Sequence, residues 1–177
     1  MSDSNKSERV SQNQNERKQC FDPVVDERTR LLVLGSLPGD KSLEAQEYYA
    51  NRQNKFWELV GAVIGADLRA LPYAARLDSL RTHGVGLWDV IAEAERPGSL
   101  DIAIRNATSN ELLALASSLP ALRAIAFNGG TAARRGRTLL RPLAERIALV
   151  ELPSSSPAHT IGFERKCLEW ITLRSFL

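Results

Sequence analysis

The chain has 177 residues, 44% hydrophobic and 25% charged, which is typical of one globular domain and argues against a fibrous, disulfide-rich or disordered protein. No apolar run approaches the roughly 18 residues of a membrane-spanning helix, and the amino terminus lacks the apolar core of a signal peptide. Two cysteines, Cys20 and Cys167, favour a reducing, cytoplasmic location, and the presence of only two histidines argues against zinc chemistry. The formal net charge of +2 by itself points weakly to a polyanionic partner.

The amino-terminal segment differs in composition from the rest of the chain. Seventeen of the first twenty residues are serine, asparagine, glutamine or charged. Such a stretch buries too little apolar surface to offset the entropy lost on ordering. We therefore expect residues 1–20 to form a disordered polar tail and residues 21–177 to form a single domain.

Short apolar runs alternate with helical patterns along that domain. Strands are predicted at 31–34, 85–90, 122–127 and 147–152, and helices at 56–64, 111–118, 131–140 and 163–177. Ser109 stands where a cap for the 111–118 helix is expected. This alternation predicts an α/β fold, a three-layer α/β/α sandwich around a parallel sheet. Parallel sheets bind ligands beyond the carboxyl ends of their strands, so the loops that follow the strands carry most weight.

The loop after the first strand, residues 35–42, reads Gly-Ser-Leu-Pro-Gly-Asp-Lys-Ser. It is similar to a phosphate-binding P-loop, which needs Gly, four residues, and then Gly-Lys-Ser/Thr. Asp40 occupies the place of the second glycine, where a carboxylate would repel phosphates and a side chain would obstruct the backbone nest. An ordinary strand-to-helix turn explains the glycines and proline equally well.

Residues 48–57, Tyr-Tyr-Ala-Asn-Arg-Gln-Asn-Lys-Phe-Trp, combine aromatic and amide side chains. That combination suits a pocket for a planar, hydrogen-bonding ligand, because rings stack on its faces and amides contact its edges. Phe56 and Trp57 begin the predicted helix and fit the core better. Tyr49 and Asn54 are the candidates for ligand contact.

The loop after the last strand, residues 152–160, reads Leu-Pro-Ser-Ser-Ser-Pro-Ala-His-Thr. Two prolines stiffen it, and its amides and hydroxyls can hold phosphate oxygens without base preference. Taken alone it is also consistent with a solvated loop. A serine hydrolase is disfavoured because the chain lacks a Gly-x-Ser-x-Gly elbow.

Together these segments resemble the uracil-DNA glycosylase superfamily, and within it the hypoxanthine-DNA glycosylase (DNA-deoxyinosine glycosylase) branch. Residues 86–90 (Gly-Leu-Trp-Asp-Val), 96–101 (Arg-Pro-Gly-Ser-Leu-Asp) and 127–129 (Phe-Asn-Gly) match as well, so the likeness covers about residues 30–175. It implies a central four-stranded parallel sheet flanked by helices, in agreement with the element pattern. It also implies a monofunctional glycosylase, expected to act as a monomer on DNA without a metal or organic cofactor and to remove hypoxanthine first, with uracil or xanthine as alternatives.

The resemblance also implies roles for individual residues. Leu37 stands where many members carry an Asp or Asn that handles water, and Leu152 stands where uracil enzymes often have His or Asn. In the hypoxanthine branch the first loss is made good by the asparagine before Phe-Trp, so Asn54 is the expected catalytic residue. The expected base-binding residues are Tyr49, Trp88, Asp89, Asn128, Gly35, Ser36, Leu37 and Pro38. The expected DNA-binding loop residues are Ser154, Ser155, Ser156, Pro157, Ala158 and His159, of which His159 is equally consistent with a surface histidine beside DNA.

The charge distribution supports a DNA partner. Residues 121–150 contain six arginines and one acid and so carry +5, which leaves −3 on the rest of the chain. Arg134, Arg135 and Arg137 crowd the middle of that segment and are candidates for phosphate contact. Two alternatives stay open. The first is a catalytically silent DNA- or nucleotide-binding module on the same fold, which Leu37 favours and Asn54 disfavours. The second is a small-molecule hydrolase that uses the loop at residues 152–160, called the serine loop below.

Overall fold

Strands and helices alternate along the chain, which the computed structural model describes for residues 17–177. The strands are β1 (Arg17–Gln19), β2 (Leu31–Gly35), β3 (Val85–Asp89), β4 (Ile91–Glu95), β5 (Arg105–Ser109), β6 (Ala124–Asn128) and β7 (Ala148–Leu152). The α-helices are α1 (Asp40–Ala45), α2 (Phe56–Ile64), α3 (Tyr73–Thr82), α4 (Leu112–Ser118), α5 (Gly130–Leu140) and α6 (Phe163–Trp170). Short 3-10 helices cover Leu68–Ala70, Asp101–Ala103, Arg141–Leu143 and Ile171–Phe176. Every predicted strand and helix overlaps one of these elements.

The central sheet is parallel and has the strand order β3-β2-β6-β7. All residues of β2 are buried, as expected of a strand covered on both faces. The chain passes from β2 to β3 on one side and later returns to β6 on the other side. The strand order therefore reverses between β2 and β6, and ligands of open α/β sheets bind beyond the carboxyl ends at such a point.

Helices cover both faces of this sheet. Leu31 and Val33 belong to one core cluster, which also contains the buried side chains of α2, α3 and α6, including Phe56 and Trp170. Leu32 and Leu34, which alternate with them along β2, belong to a second cluster with α4 and α5. Alternate residues of a strand point to opposite faces, so one apolar run supplies both cores. The predicted three-layer sandwich around a four-stranded parallel sheet is confirmed.

A second, antiparallel sheet with the order β1-β4-β5 was not predicted. It begins with Arg17–Gln19, which pairs with β4, so the predicted tail extends too far and residues 17–20 belong with the folded part. Backbone pairing orders this polar segment, which composition cannot reveal. The rest of the predicted tail, residues 1–16, lies outside the described residues.

Two further boundaries differ from the prediction. Ser109 is the last residue of β5, and Glu111 rather than Ser109 occupies the cap position of α4. The predicted carboxyl-terminal helix changes at Ile171 from α to 3-10 geometry. Within residues 17–177, no helix combines the length and apolar character that crossing a membrane would require.

Candidate active site

A pocket of about 290 Å³ opens at the carboxyl ends of β2, β3 and β6, where the strand order reverses. Its walls come from the three loops that the sequence singles out, together with residues 99–101. The expected site residues that line it are Gly35, Ser36, Leu37, Pro38, Tyr49, Asp89, Asn128, Ser154, Ser156, Ala158 and His159. Residues that are far apart in the chain thus meet at one edge of the sheet.

Asp89 is the buried acid of this pocket. It is the last residue of β3 and only 4% exposed, and its Oδ2 has no hydrogen-bond partner. Burial raises the pKa of its carboxyl to about 7, an effect that Arg96 opposes and Asp101 reinforces. A carboxyl group with this pKa exists in both protonation states near neutral pH. A ligand in the pocket would therefore find a group that can donate as well as accept a hydrogen bond.

Tyr49 forms an aromatic wall beside Asp89. Its ring stacks on Phe56 with 3.7 Å between centroids and 8° between planes, so Phe56 covers one face of the ring. Tyr49 has a φ of +54°, a left-handed conformation that is uncommon for an aromatic residue and is typical of functional sites. Burial raises the pKa of its hydroxyl, which stays protonated. The stack on Phe56 fixes the orientation of the ring in advance of any ligand.

Asn128 connects Tyr49 to the serine loop. Its Nδ2 donates to the Tyr49 hydroxyl at 3.0 Å and to Oγ of Ser155 at 2.8 Å, while its Oδ1 accepts the Ser155 backbone N–H at 2.8 Å. Both amide hydrogens are thus used inside the protein. Asn128 lines the pocket as expected, but the contacts in the structure make it a support for Tyr49 and the loop.

The turn at residues 35–38 is held by a buried arginine that sequence analysis did not single out. Arg96 is 3% exposed and donates from Nη1 to the carbonyl of Leu37 at 3.1 Å and from Nη2 to the carbonyl of Pro38. Ser36 donates to Oδ1 of Asp101 at 2.7 Å, and Arg96 lies 3.7 Å from the same carboxylate. The 96–101 motif was visible in the sequence, but nothing there indicates that its arginine is buried.

Three hydrogen bonds to its backbone carbonyls hold the serine loop in place. Ser155 is completely buried, and its carbonyl accepts the backbone N–H of Lys55 at 3.0 Å. The buried Lys166 donates to the carbonyl of Ser156 at 3.0 Å, and Nε1 of Trp170 donates to the carbonyl of Pro153 at 3.0 Å. Burial lowers the pKa of the Lys166 ammonium. Ser155 is therefore structural, while Pro157, Ala158 and His159 are exposed above it.

Of the expected catalytic and base-binding residues, two lie outside the pocket, Trp88 and Asn54. Trp88 donates from Nε1 to the carbonyl of Phe21 at 3.0 Å and packs against the second core cluster, outside the pocket. Since neighbouring residues of a strand point to opposite sides, Trp88 and Asp89 do not face the same ligand. The expectation that Trp88 contacts the base is therefore corrected.

Asn54 lies beside a neighbouring groove rather than in the main pocket. Tyr49 lines both cavities, whereas Asn54 lines only the groove. Its Oδ1 accepts the backbone N–H of Phe56 at 3.0 Å, at the start of α2. The side chain thus has a structural bond in addition to any role toward a substrate.

The arginine cluster lies on α5. Arg134, Arg135 and Arg137 are exposed, and none of them lines the pocket. The guanidinium of Arg137 lies 5.9 Å from the centroid of the Phe127 ring. Because α5 begins at Gly130, two residues after Asn128 at the end of β6, the cluster follows the site along the chain and remains a candidate surface for phosphates.

Comparison with known proteins matches this architecture to one family. The model of the uracil DNA glycosylase superfamily matches residues 23–172. A hypoxanthine DNA glycosylase from Methanosarcina acetivorans is 40% identical over 153 residues, 86% of this chain and 95% of that protein. One from Methanosarcina barkeri is 42% identical over 113 residues, 64% of this chain and 72% of that protein. The solution NMR structure of an M. acetivorans protein assigned as a uracil DNA glycosylase has a TM-score of 0.81 at 38% identity and covers 91% of this chain and 99% of that one.

Proposed function

The chain belongs to the uracil DNA glycosylase superfamily and is a DNA glycosylase, and from that premise we propose that the base it removes from DNA is hypoxanthine. Two relatives of about 40% identity carry that activity in their names. Uracil and xanthine are the second choices, since each presents an adjoining N–H and C=O group as hypoxanthine does. The products are free base and an abasic site in DNA.

Asp89 in its pocket is the observation that supports removal of a base with adjoining N–H and C=O groups, and the names of the two relatives favour hypoxanthine among such bases. A base must leave the duplex stack before its glycosidic bond can be reached, and the pocket must then bind its face and its edge. Hypoxanthine presents an N1–H donor beside an O6 acceptor. The protonated carboxyl of Asp89 complements this edge, because one oxygen can accept from N1–H while the other donates to O6. Tyr49, already stacked on Phe56, supplies the aromatic surface for the face of the base.

Bond cleavage needs a water molecule at C1′ of the sugar. As the bond from C1′ to the base breaks, the electron pair leaves with the base and the sugar becomes positively charged. The water oxygen then adds to C1′, and the loss of one water proton balances the proton that the departing base takes up to become the free base. Such a dissociative reaction depends on positioning more than on a strong base. We assign the positioning to Asn54, whose carbonyl oxygen has a second lone pair beside the one used by Phe56 N–H.

The serine loop and the arginine cluster would hold the DNA backbone. Ser154 and Ser156 line the pocket next to the exposed Ala158 and His159, and hydroxyls with backbone amides suit phosphate oxygens. These contacts carry no base preference. We therefore assign recognition of the base to Asp89 and Tyr49 and affinity for DNA to the loop and the cluster.

The activity is tested with duplexes that carry a single inosine, deoxyuridine or deoxyxanthosine residue. After incubation with excess protein, alkali cleaves the strand wherever a base has been removed. We expect strand cleavage to be fastest with inosine. Faster cleavage with deoxyuridine would reassign the substrate to uracil, and no cleavage of any duplex that the protein binds would favour the silent binding module.

That silent module is the second candidate because Asn54 lies outside the main pocket. Asn54→Ala is expected to lower the single-turnover rate on the order of 100-fold while duplex binding changes little. Asn51→Ala is the matched control, since Asn51 lines the same groove and also accepts a backbone N–H two residues on. Asn54→Ser, which keeps a side-chain oxygen before α2, separates loss of the water from loss of the hydrogen bond to the backbone N–H of Phe56. An unchanged rate in both Asn54 variants would remove this residue from the mechanism.

A further inference from the structure

The guanidinium of Arg96 is buried, although no carboxylate pairs with it closely. The carboxylate of Asp101 lies 3.7 Å from its Nη1 and already accepts a hydrogen bond from Ser36. Another acid near Arg96, Asp40, is paired with Lys18. Among the residues that the structure describes, none accepts a hydrogen bond from the buried Nε of Arg96. Burying a cation in this way costs free energy, so the charge needs a reason other than stability.

The hydrogen bonds that Arg96 makes go to the wall of the pocket. Its Nη1 donates to the carbonyl of Leu37 at 3.1 Å and its Nη2 to the carbonyl of Pro38, and both of these residues line the pocket. Arg96 itself does not line it. The guanidinium therefore lies behind the turn at residues 35–38, on the far side of the backbone from a ligand. Holding two carbonyls does not require a charge, because the amide of glutamine also carries two N–H donors.

Arg96 and the base-binding acid Asp89 act on each other electrostatically. Burial raises the pKa of the Asp89 carboxyl to about 7, and Arg96 opposes this rise while Asp101 adds to it. Burial lowers the pKa of the Arg96 guanidinium, and Asp101, Asp40 and Asp89 oppose that change. The other titratable groups that face Asp89 are neutral near pH 7, because burial raises the pKa of each: Cys20, Tyr48 and Tyr49. Arg96 thus supplies positive charge to a cluster of acids and neutral groups.

We propose that Arg96 is a positioning residue for base removal, which fixes the turn at residues 35–38 and holds a positive charge behind the bound base. The proposal rests on the proposed function, because it takes hypoxanthine to be bound at Asp89. When the bond from C1′ to the base breaks, the electron pair goes to the base, and its negative charge is shared by O6. In the proposed complex O6 accepts from the Asp89 carboxyl, so a cation behind that carboxyl stabilises the departing base.

The charge of Arg96 also affects the pH range of the reaction. If hypoxanthine is bound by protonated Asp89, the rate falls as the pH rises through the pKa of that carboxyl. Arg96 lowers this pKa, so its removal should move the fall to higher pH. A residue that only supports the turn would change the rate by the same factor at every pH. The pH profile therefore distinguishes the two roles.

The experiment measures single-turnover excision of hypoxanthine from an inosine-containing duplex at about pH 6 and about pH 8.5. We expect Arg96→Gln to lower the rate at the lower pH on the order of tenfold. The ratio of the rate at the higher pH to the rate at the lower pH should rise several-fold. Arg96→Lys, which keeps the charge, should keep the wild-type ratio. Titration of the substrate does not affect the comparison, because every variant acts on the same duplex.

Arg105→Gln is the matched control. Arg105 also donates to two backbone carbonyls, those of Ile102 and Ile104, but it is exposed and does not contact the turn at residues 35–38. Its replacement should leave the ratio unchanged. Asp101→Asn tests the same cluster without removing the buried cation, since the Asp101 side chain is 37% exposed. Because Asp101 raises the pKa of Asp89, its loss should move the fall in rate to lower pH.

The protonation of Asp89 is measured separately from cleavage by carbon-13 NMR of the aspartate carboxyl groups, with the signal assigned by its absence in Asp89→Asn. We expect a titration midpoint at about pH 7 in the wild-type protein and a higher midpoint in Arg96→Gln. A wild-type pH profile in Arg96→Gln would overturn the proposal, as would one in Asp101→Asn if Arg96→Gln does not fold. Absence of cleavage by the wild-type protein would instead contradict the glycosylase assignment, and the NMR midpoints would still show whether Arg96 acts on Asp89.

Discussion

Gly35 and Asp89 are paired in register across β2 and β3, and a Cβ atom on residue 35 would lie 2.6 Å from Oδ1 of Asp89. The same atom would lie 2.9 Å from the Tyr49 hydroxyl. The absence of a side chain at Gly35 therefore lets the acid and the aromatic wall approach one another across the end of β2. Because of this close approach, the pocket has the Asp89 carboxyl on one side of Gly35 and the Tyr49 ring on the other.

Gly35→Ala is expected to displace the Asp89 carboxyl and the Tyr49 hydroxyl, because a methyl group cannot share their space. The fold should survive, since Gly35 lies in a regular strand with no positive φ. Excision of hypoxanthine in a single turnover should fall on the order of 100-fold. Gly162→Ala is the control, because a Cβ there would meet nothing within 4 Å. Equal rates for the two variants would show that the pocket tolerates the methyl group.

Asp89 should make stability depend on pH. Its folded pKa of about 7 lies above the ordinary 3.8, so between these values the unfolded chain is ionised while the folded protein keeps the proton. Ionisation of Asp89 therefore does not change the free energy of unfolding below pH 3.8 and lowers it as the pH rises to about 7. Above pH 7 the free energy of unfolding is lower by roughly 4 kcal/mol than below pH 3.8. Asp89→Asn has no proton to lose. Urea unfolding from about pH 5 to about pH 8.5 should show its stability advantage over wild type growing with pH, and a constant difference would contradict this.

Asn128→Ala should destabilise the protein by about 1–3 kcal/mol, because it leaves the N–H and the hydroxyl of the fully buried Ser155 without their partner. Tyr49→Phe removes only one hydrogen bond from the same network and keeps the stack on Phe56. Its effect in urea unfolding should be smaller. If both variants cost the same, the bond to Tyr49 rather than the support of Ser155 would dominate.

The layered fold could be predicted because a short continuous run of apolar residues indicates a strand that is covered on both faces of its sheet. The run at 31–34 falls within β2, and the 56–64 helix has the predicted bounds. The small sheet could not be predicted in the same way. Arg17–Gln19 and β5 are polar and held by backbone pairing, so their side chains carry no periodic signal.

The site was predictable as a set of loops but not as a set of side-chain directions. Sequence analysis singled out Tyr49 by its loop chemistry and Asp89 and Asn128 by the family resemblance, and the carboxyl ends of parallel strands share an edge at which such residues meet. It could not show that Trp88 faces the core or that the Asn54 oxygen accepts a bond at the start of α2. It also missed Arg96, because the burial of a single charged side chain depends on the loops that fold over it.

The arginine cluster of α5 should contribute to DNA affinity through phosphates. Replacing Arg134, Arg135 and Arg137 by Gln should weaken duplex binding equally for inosine-containing and normal DNA. It should also reduce the slope of log affinity against log salt concentration by about 0.9 for each phosphate that the variant no longer neutralises. Arg28→Gln is the control, because Arg28 is exposed near the amino-terminal edge of β2, away from the carboxyl ends that form the pocket, and pairs with Asp26. Fluorescence anisotropy at several salt concentrations measures both slopes, and an unaltered slope in the triple variant would make the cluster an ordinary solvated helix face.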